Sequence, residues 1–317
     1  MPANRTYRAN GKLLLSGEYL VLEGALALGL PLSLGQSLSL QESTGSEIIW
    51  ESYLPNGELW FKGKFDLFGF DCIKTSDKAI SENLNHLFEA CVRLNSDFLS
   101  KWKKYRVQTH LDFDPSWGLG SSSTLICCLA EWADVDPFDL LHHTDGGSGY
   151  DIACAQASGP IFFQIEDASV EVLPVDFTPS FKDNLYFVYL EKKSDSRRAV
   201  SDFLQLDVDQ NTVDSISEIS RELSRSSDLK SFDHLIFEHE QILSRILRIK
   251  PIKSTSFSNY WGEVKSLGAW GGDFALATSD RSPTETKAYF HEKGLSVILP
   301  FRDIVLSGSE VALPHLS

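Results

Sequence analysis

The stretch from Tyr105 to Trp132, YRVQTHLDFDPSWGLGSSSTLICCLAEW, leaves a chain few ways to fold. Val107, Thr109, Leu111 and Phe113 alternate as on one face of a strand, and Asp114 and Pro115 then break the pattern. Gly118, Leu119, Gly120, Ser121, Ser122 and Ser123 follow, two glycines and three serines in six positions, and the chain runs on into an apolar, helix-compatible segment. The order is strand, Gly/Ser loop, helix. A second unit of this kind comes next, with a short helix PFDLLHH, the turn TDGGSG, a small-residue helix YDIACAQAS and a strand GPIFFQIE.

The flanking sequence extends this pattern. Apolar runs with interspersed glycine over 7–40, and strand-like pieces at 46–53 and 57–62, predict an opening sheet. Between Ser81 and Leu99, residues Leu84, Leu87, Phe88, Cys91, Val92 and Leu94 recur at three-and-four spacing, which predicts an amphipathic helix capped by Ser81. Around 174–184, PVDFTPSFKDN, the pattern dissolves into prolines and polar residues. A boundary there divides the chain into domains over 1–178 and 179–317. The second half reads as strand LYFVYLEKK, a helix near 195–205, a long helical stretch over about 211–248, a helix at 256–267, the Gly-rich GAWGGDFALAT, a helix near 284–293 and strand LSVILP. That alternation suits an α+β sandwich.

Composition narrows the function. With 44 acidic against 29 basic residues, the net charge of −15 repels a polyanion, which argues against nucleic acid as partner. A small anionic ligand is compatible where positive groups converge. No apolar run reaches 18 residues, so no membrane span is expected. Ser16, Gly17 and Glu18 interrupt the N-terminal apolar stretch before it reaches signal-peptide length, and a cytoplasmic protein is expected. The five cysteines are odd in number, lack C-x-x-C spacing and read as buried, reduced thiols without a catalytic role. His142 and His143 lack partners at metal-ligand spacing and are not a zinc site.

The chemistry sits in the loops. The first turn of a helix carries unpartnered N–H groups and partial positive charge, and glycine lets a phosphate approach the backbone closely. Gly118 to Ser123 therefore read as a cradle for a triphosphate, with serine hydroxyls available to phosphate or Mg2+. The stretch is not a Walker A loop; taken alone, it is equally a Ser-capped helix start. Asp151 lies one turn beyond a Gly/Ser turn, placed to accept a proton from a substrate hydroxyl, although such an Asp also complements a helix dipole. Lys12 stands at the start of an apolar strand; directed at Asp151 it would hold that carboxylate ionised, and otherwise it snorkels to water. Glu18 either orients Lys12, binds a polar substrate group or is exposed. Gly268, Ala269, Gly271 and Gly272 form a loop suited to lie under phosphates or a tight turn. In EKKSDSRRAV, Lys192, Lys193, Arg197 and Arg198 make a basic segment that suits an anionic substrate or a solvated turn capped by Ser194 or Ser196.

Taken together these stretches resemble a family. GKLLLSGEYLVLEG (11–24) resembles the first motif of the GHMP kinases, PSWGLGSSS the second, phosphate-binding motif, GGSGYDIA the segment with the catalytic aspartate of the mevalonate and phosphomevalonate branch, and KSLGAWGGDFALA the third, Gly-rich motif. They occur in family order, and the phosphomevalonate kinases look closest, with an aromatic residue just before GLGSS and GSG-(aromatic)-D before a small-residue helix. The resemblance implies a two-domain fold, with a ribosomal protein S5 domain 2-like N-terminal domain and a ferredoxin-like C-terminal domain. It implies an ATP- and Mg2+-dependent kinase of a mevalonate- or phosphomevalonate-like acid. Asp151 and Lys12 would be catalytic, and Gly118–Ser123 with Gly268, Ala269, Gly271 and Gly272 would bind nucleotide. Ser122 would help to hold Mg2+, and Glu18, Tyr19, Ser148, Gly149, Tyr150, Ser194 and Arg197 would face the substrate. A kinase for a sugar or homoserine, or a catalytically silent relative, are the alternatives. The sequence also departs from the family: Leu267 replaces a usual serine, Trp270 a usual glycine and Ser116 a frequent lysine, and Leu140 occupies a position where mevalonate kinases place a Mg2+-ligating glutamate.

Overall fold

Two long strands, β1 (Arg5–Ser16) and β2 (Ala27–Ser43), open the chain and pair with each other. The computed structural model describes residues 5–144, 146–166, 169–192, 196–270 and 272–308. Contacts divide the chain into two units. One holds the residues up to Gly11, Leu34–Pro115 and Leu119–Gln156; the other holds Lys12–Ser33, Ser116–Gly118 and the residues from Ala157 on.

In the first unit β2 continues a sheet with β3 (Glu47–Tyr53), β4 (Leu59–Asp66), β5 (Cys72–Thr75) and, beyond α1 (Lys78–Leu94), β6 (Lys104–Leu111). The order is β5-β4-β3-β6-β2, with β3 and β6 parallel and the other pairs antiparallel. Period-two alternation in β6 buries Tyr105, Val107, Thr109 and Leu111. Helices α2 (Ser121–Ala133), α3 (Pro137–His142) and α4 (Tyr150–Gln156) complete the unit, and α1 packs on the sheet through its apolar stripe. Phe88 is central to this core: its ring lies 5.7, 5.6 and 5.5 Å from those of Trp50, Phe65 and Phe70.

The α1 boundaries differ from the sequence expectation. Asp77, extended at φ −147°, accepts a hydrogen bond from the Ile80 amide, so the cap stands four residues before Ser81 and the helix starts at Lys78. Ser81 is buried one turn inside and donates to the Lys78 carbonyl, and the helix ends at Leu94 rather than Leu99. Cys91, Cys127, Cys128 and Cys154 are buried, whereas Cys72 is exposed. Burial pushes the Cys91 and Cys128 thiols up to about 12, which keeps them protonated and unreactive.

In the second unit the first residues of β2 pair with β7 (Ile161–Glu166), which carries the exposed edge strand β8 (Ser169–Pro174). A second, antiparallel sheet is built from β9 (Leu185–Tyr189) and three later strands, after helices α5 (Ser196–Phe203), α6 (Gln210–Arg225), α7 (Leu229–Leu247) and α8 (Ile252–Ser256). Those strands are β10 (Val264–Ser266), β11 (Phe274–Thr278) and, beyond α9 (Pro283–Glu292), β12 (Ile298–Pro300), in the order β10-β11-β9-β12; the short α10 (Phe301–Ile304) follows. The helical stretch expected over 211–248 is two helices, because Asp228 accepts from the Ser231 amide and starts α7 anew. The helix expected at 256–267 is a short α8 followed by strand β10: Val264 pairs with Ala277, and Tyr260 and Trp261 stack on Tyr289. Among the described residues no helix is long and apolar enough to cross a membrane.

Phe88→Ala should cost the first unit about 3–5 kcal/mol, the range for truncating a buried aromatic ring. The midpoint of its denaturant transition reports this, and a loss below about 1 kcal/mol would show that Phe88 does not hold this core.

Candidate active site

The residues expected to carry the chemistry fall into two groups, one in each unit. In the first unit α2 starts at Gly120, whose φ of 94° no L side chain adopts readily, and no side chain caps the helix. The three serines separate here. Ser123 turns inward and donates to the Gly120 carbonyl at 2.9 Å, while Ser121 is half-buried and Ser122 exposed. Thr124 anchors the turn to the sheet, its hydroxyl donating to Gln36 Oε1 at 2.7 Å. No capping side chain therefore takes up the first-turn amides of α2, an arrangement suited to an anion.

Asp151 stands in the first turn of α4, which packs on α2, and is half-buried. The Cys127 thiol lies 3.9 Å from the Ile152 carbonyl. Burial first, then Cys128 and Asp151, push that thiol up. Gly149 is buried with the Phe138 ring 3.0 Å from where a Cβ would stand, and the Tyr150 amide donates to Ser148 Oγ at 3.4 Å. The structure thus brings Leu119–Ser123 and Ser148–Asp151 onto neighbouring elements of one unit. Among the described residues no group of three or more His, Cys, Asp and Glu side chains could enclose a metal. The hydroxyls of Ser121 and Ser122 suit an ion that takes few protein oxygens and completes its shell from phosphates and water, as Mg2+ does.

In the second unit Ser116–Gly118 is fixed by aromatic packing. The Trp117 ring lies 6.0 Å from those of Tyr189 and Phe274, and the Tyr189 hydroxyl is 3.4 Å from both the Ser116 carbonyl oxygen and Oγ. Gly118 has φ 71°, and a Cβ there would stand 2.7 Å from the Asp273 carboxyl carbon. Asp273 was not singled out from the sequence. It is held in a left-handed conformation (φ 55°), its amide donating to the Lys192 carbonyl and its own carbonyl accepting from the Leu190 amide, each at 2.7 Å. Its carboxylate therefore lies against the first glycine of the second motif, and reaches within 4.0 Å of a Cβ on Gly268 in the third. The GGD spacing is the sequence signal that could have found it.

The third motif is the hairpin between β10 and β11, closed by the Leu267 amide donating to the Phe274 carbonyl at 3.0 Å. Leu267 and Trp270, the two departures from the family pattern, are both buried, as are Ala269 and Gly272, while Gly268 is half-buried. The Trp270 amide donates to the Tyr19 hydroxyl at 3.0 Å. Tyr19 is itself buried, with φ 63°, its ring 5.3 Å from that of Phe203. Glu18, expected to face a ligand or solvent, is 1 % exposed and forms an ion pair with Lys265, which is 0 % exposed. The Lys265 ammonium also donates to the Ser266 carbonyl at 2.9 Å. His239 completes the cluster: its Nε2 accepts from the Gly17 amide at 3.2 Å and lies 3.3 Å from Glu18 Oε2. Burial depresses the His239 pKa well below its ordinary value, so the ring is neutral and free to accept. Burial also raises Glu18, against the pull of Lys265, and pushes the neighbouring Glu240 up to about 8.

Lys12 is half-buried in β1. Arg198 is exposed, 3.9 Å from Asp202 on its own helix. Arg197 lies in α5 with its side chain outside the described residues, and Ser194 and Gly271 lie outside them altogether.

Glu240 sets a pH dependence. Its folded pKa of about 8 exceeds the ordinary 4.5, so the folded state keeps a proton that the unfolded chain has released. The associated stability is complete below about 4.5 and is lost as pH rises through about 8. Glu240→Gln should flatten that decline and be more stable than the parent above pH 8, read by urea unfolding across the window; an unchanged slope would mean that Glu240 is ionised in the folded state.

No family model and no curated protein matches the sequence. Solved structures do. Methanococcus jannaschii mevalonate kinase aligns with TM-score 0.71 at 14% identity, over 97% of this chain and 99% of that one. L. major mevalonate kinase in complex with R-mevalonate aligns with TM-score 0.70 at 16% identity, over 98% of each chain. Streptococcus pneumoniae phosphomevalonate kinase, solved with phosphomevalonate and AMPPNP, aligns with TM-score 0.66 at 17% identity, over 92% of this chain and 97% of that one. At these identities the likeness is one of fold: the chain has the two-domain fold of the GHMP kinases.

Proposed function

We propose that this chain is an ATP- and Mg2+-dependent kinase that phosphorylates a hydroxyl or phosphate oxygen of a mevalonate- or phosphomevalonate-like acid. The observation that carries the proposal is the first turn of α2 at Gly120–Ser123, which no side chain caps, next to α4, which bears Asp151. The amides of that turn bind the β- and γ-phosphates, with Gly118, Gly268, Ala269, Gly271 and Gly272 as further nucleotide contacts. Asp151 accepts the proton of the acceptor oxygen as that oxygen bonds to the γ-phosphorus and the bond to the β-phosphate oxygen breaks, releasing ADP. Lys12 offsets charge on the transferring group. Mg2+, held partly by Ser122, supplies charge neutralisation on the phosphates. Tyr19, Ser148, Gly149, Tyr150, Ser194 and Arg197 orient the acceptor, Tyr19 from its buried site beside Trp270. Glu18, buried on Lys265, acts by fixing this turn.

A second reading, a relative that binds nucleotide without turnover, draws on Leu267 and Trp270, buried where the family usually has serine and glycine. A thermal-shift panel with Mg·ATP, mevalonate, phosphomevalonate, homoserine and galactose, paired with ADP release, separates the two. The kinase reading expects stabilisation by Mg·ATP and ADP formation on one acidic acceptor. Stabilisation without ADP on any acceptor supports the second reading, and no nucleotide response removes both. Asp151→Asn should lower kcat by about 100- to 10,000-fold with ATP affinity held within about threefold; undiminished turnover would take Asp151 out of the reaction.

A further inference from the structure

A cleft of about 650 Å³ opens within the second unit, between the end of β9, the α7–α8 connection and the α9–β12 connection. Ile252, Phe257, Trp270 and Leu295 give it apolar walls, and Lys192, Lys250 and Lys293, exposed at its rim, also line it. Among the described residues no carboxylate lines it, although the chain carries 44 acidic residues against 29 basic ones. Among the described residues no acid lies within ion-pair distance of Lys192 or Lys250. Lys293 rests 5.1 Å above the Tyr289 ring and 5.9 Å above that of Phe257, a cation held at the wall by aromatic faces. Lys253, which does not line the cleft, is by contrast paired with Glu263 at 3.7 Å. In a chain with surplus acid, three like charges converging on apolar walls without a counter-charge mark a place where the missing partner comes from outside.

Trp270 supplies an independent observation. It is 8 % exposed and lines the cleft, and its indole Nε1–H is shut off from solvent with no hydrogen-bond partner among the described residues. A buried donor left unmade is costly, and a ligand acceptor meets it only when the Trp270 ring turns toward the cleft on binding.

We propose that the cleft binds a small organic anion, a phosphate or carboxylate on a planar apolar body, with the lysines meeting the anionic group and Phe257 and Trp270 the body. Its volume falls in the range of small-molecule sites. The cleft shares Trp270 and the Lys192 segment with the kinase reading, whereas Lys250 and Lys293, on which its test turns, are not used there.

Calorimetry tests it with four probes: 1-naphthyl phosphate, 1-naphthoate, neutral 1-naphthol and inorganic phosphate. We expect one site per chain for naphthyl phosphate or naphthoate, at least about tenfold tighter than naphthol or inorganic phosphate, and weakened as salt rises from about 50 to about 300 mM. The better of the two anions identifies the head group. Lys250→Glu and Lys293→Gln, both at exposed positions, should each weaken that probe, the former by about tenfold or more, and Trp270→Phe should weaken it by about threefold. Affinity for Mg·ATP should be the same in Lys250→Glu as in the parent, and saturating Mg·ATP should leave the naphthyl probe bound. Equal binding of naphthol, unchanged affinity in Lys250→Glu, displacement by Mg·ATP, or no binding by either anion at about 1 mM would each overturn the proposal. None of these readouts needs turnover, so a failure of the kinase reading leaves them interpretable.

Discussion

The buried pairing of Glu18 with Lys265 is the interaction on which the second unit's site depends. Two opposite charges withdrawn from water are costly unless each is fully matched, and here the Ser266 carbonyl takes a Lys265 proton while Glu18 Oε2 is left without a hydrogen-bond partner among the described residues. That cost is tolerated because the pair fixes geometry. Glu18 belongs to the turn after β1 and Lys265 to the strand entering the Gly-rich hairpin, so the ion pair ties together two segments 247 residues apart. Tyr19 and Trp270 repeat the connection one residue and five residues further on.

A second tie runs through Asp273. Its backbone is clamped by Leu190 and Lys192, and its carboxylate fills the space that a side chain at position 118 would need. The glycine of the second motif is thus explained by close approach of an acid rather than by the turn alone. Trp117, packed on Tyr189 and Phe274, holds the same segment from the other side. Aromatic contacts set the position of this loop, and glycine permits it.

Much of this was legible in the sequence because its signals are local. The three-and-four spacing of Leu84, Leu87, Phe88 and Cys91 marks α1, and the Gly/Ser loop followed by an apolar run marks the start of α2. Local signals misled where two competed: Ser81 is a good cap, but Asp77 comes first and captures the Ile80 amide. Periodicity carried the reading through 226–228, where Asp228 restarts the helix. Around 256–267, helix-compatible residues are drawn into a strand by Ala277 and an aromatic cluster, neither visible from the segment itself. Glu18 could not be placed for the same reason. A glutamate beside Ser16 and Gly17 looks exposed until Lys265 and His239 are brought to it, and the exclusion of water that follows raises Glu18 and depresses His239.

The interlacing of the two units along the chain bears on biosynthesis. All of the first unit has left the ribosome soon after Gln156, but Lys12–Ser33 belongs with residues made later. The Leu26 amide is satisfied by Ser217, and Ser16 pairs with Ser220, both on α6. Until α6 emerges, the nascent polypeptide carries Leu13–Leu15 and Leu26–Leu32 without their final cover, an interval in which a chaperone able to shield apolar strands would protect it from aggregation.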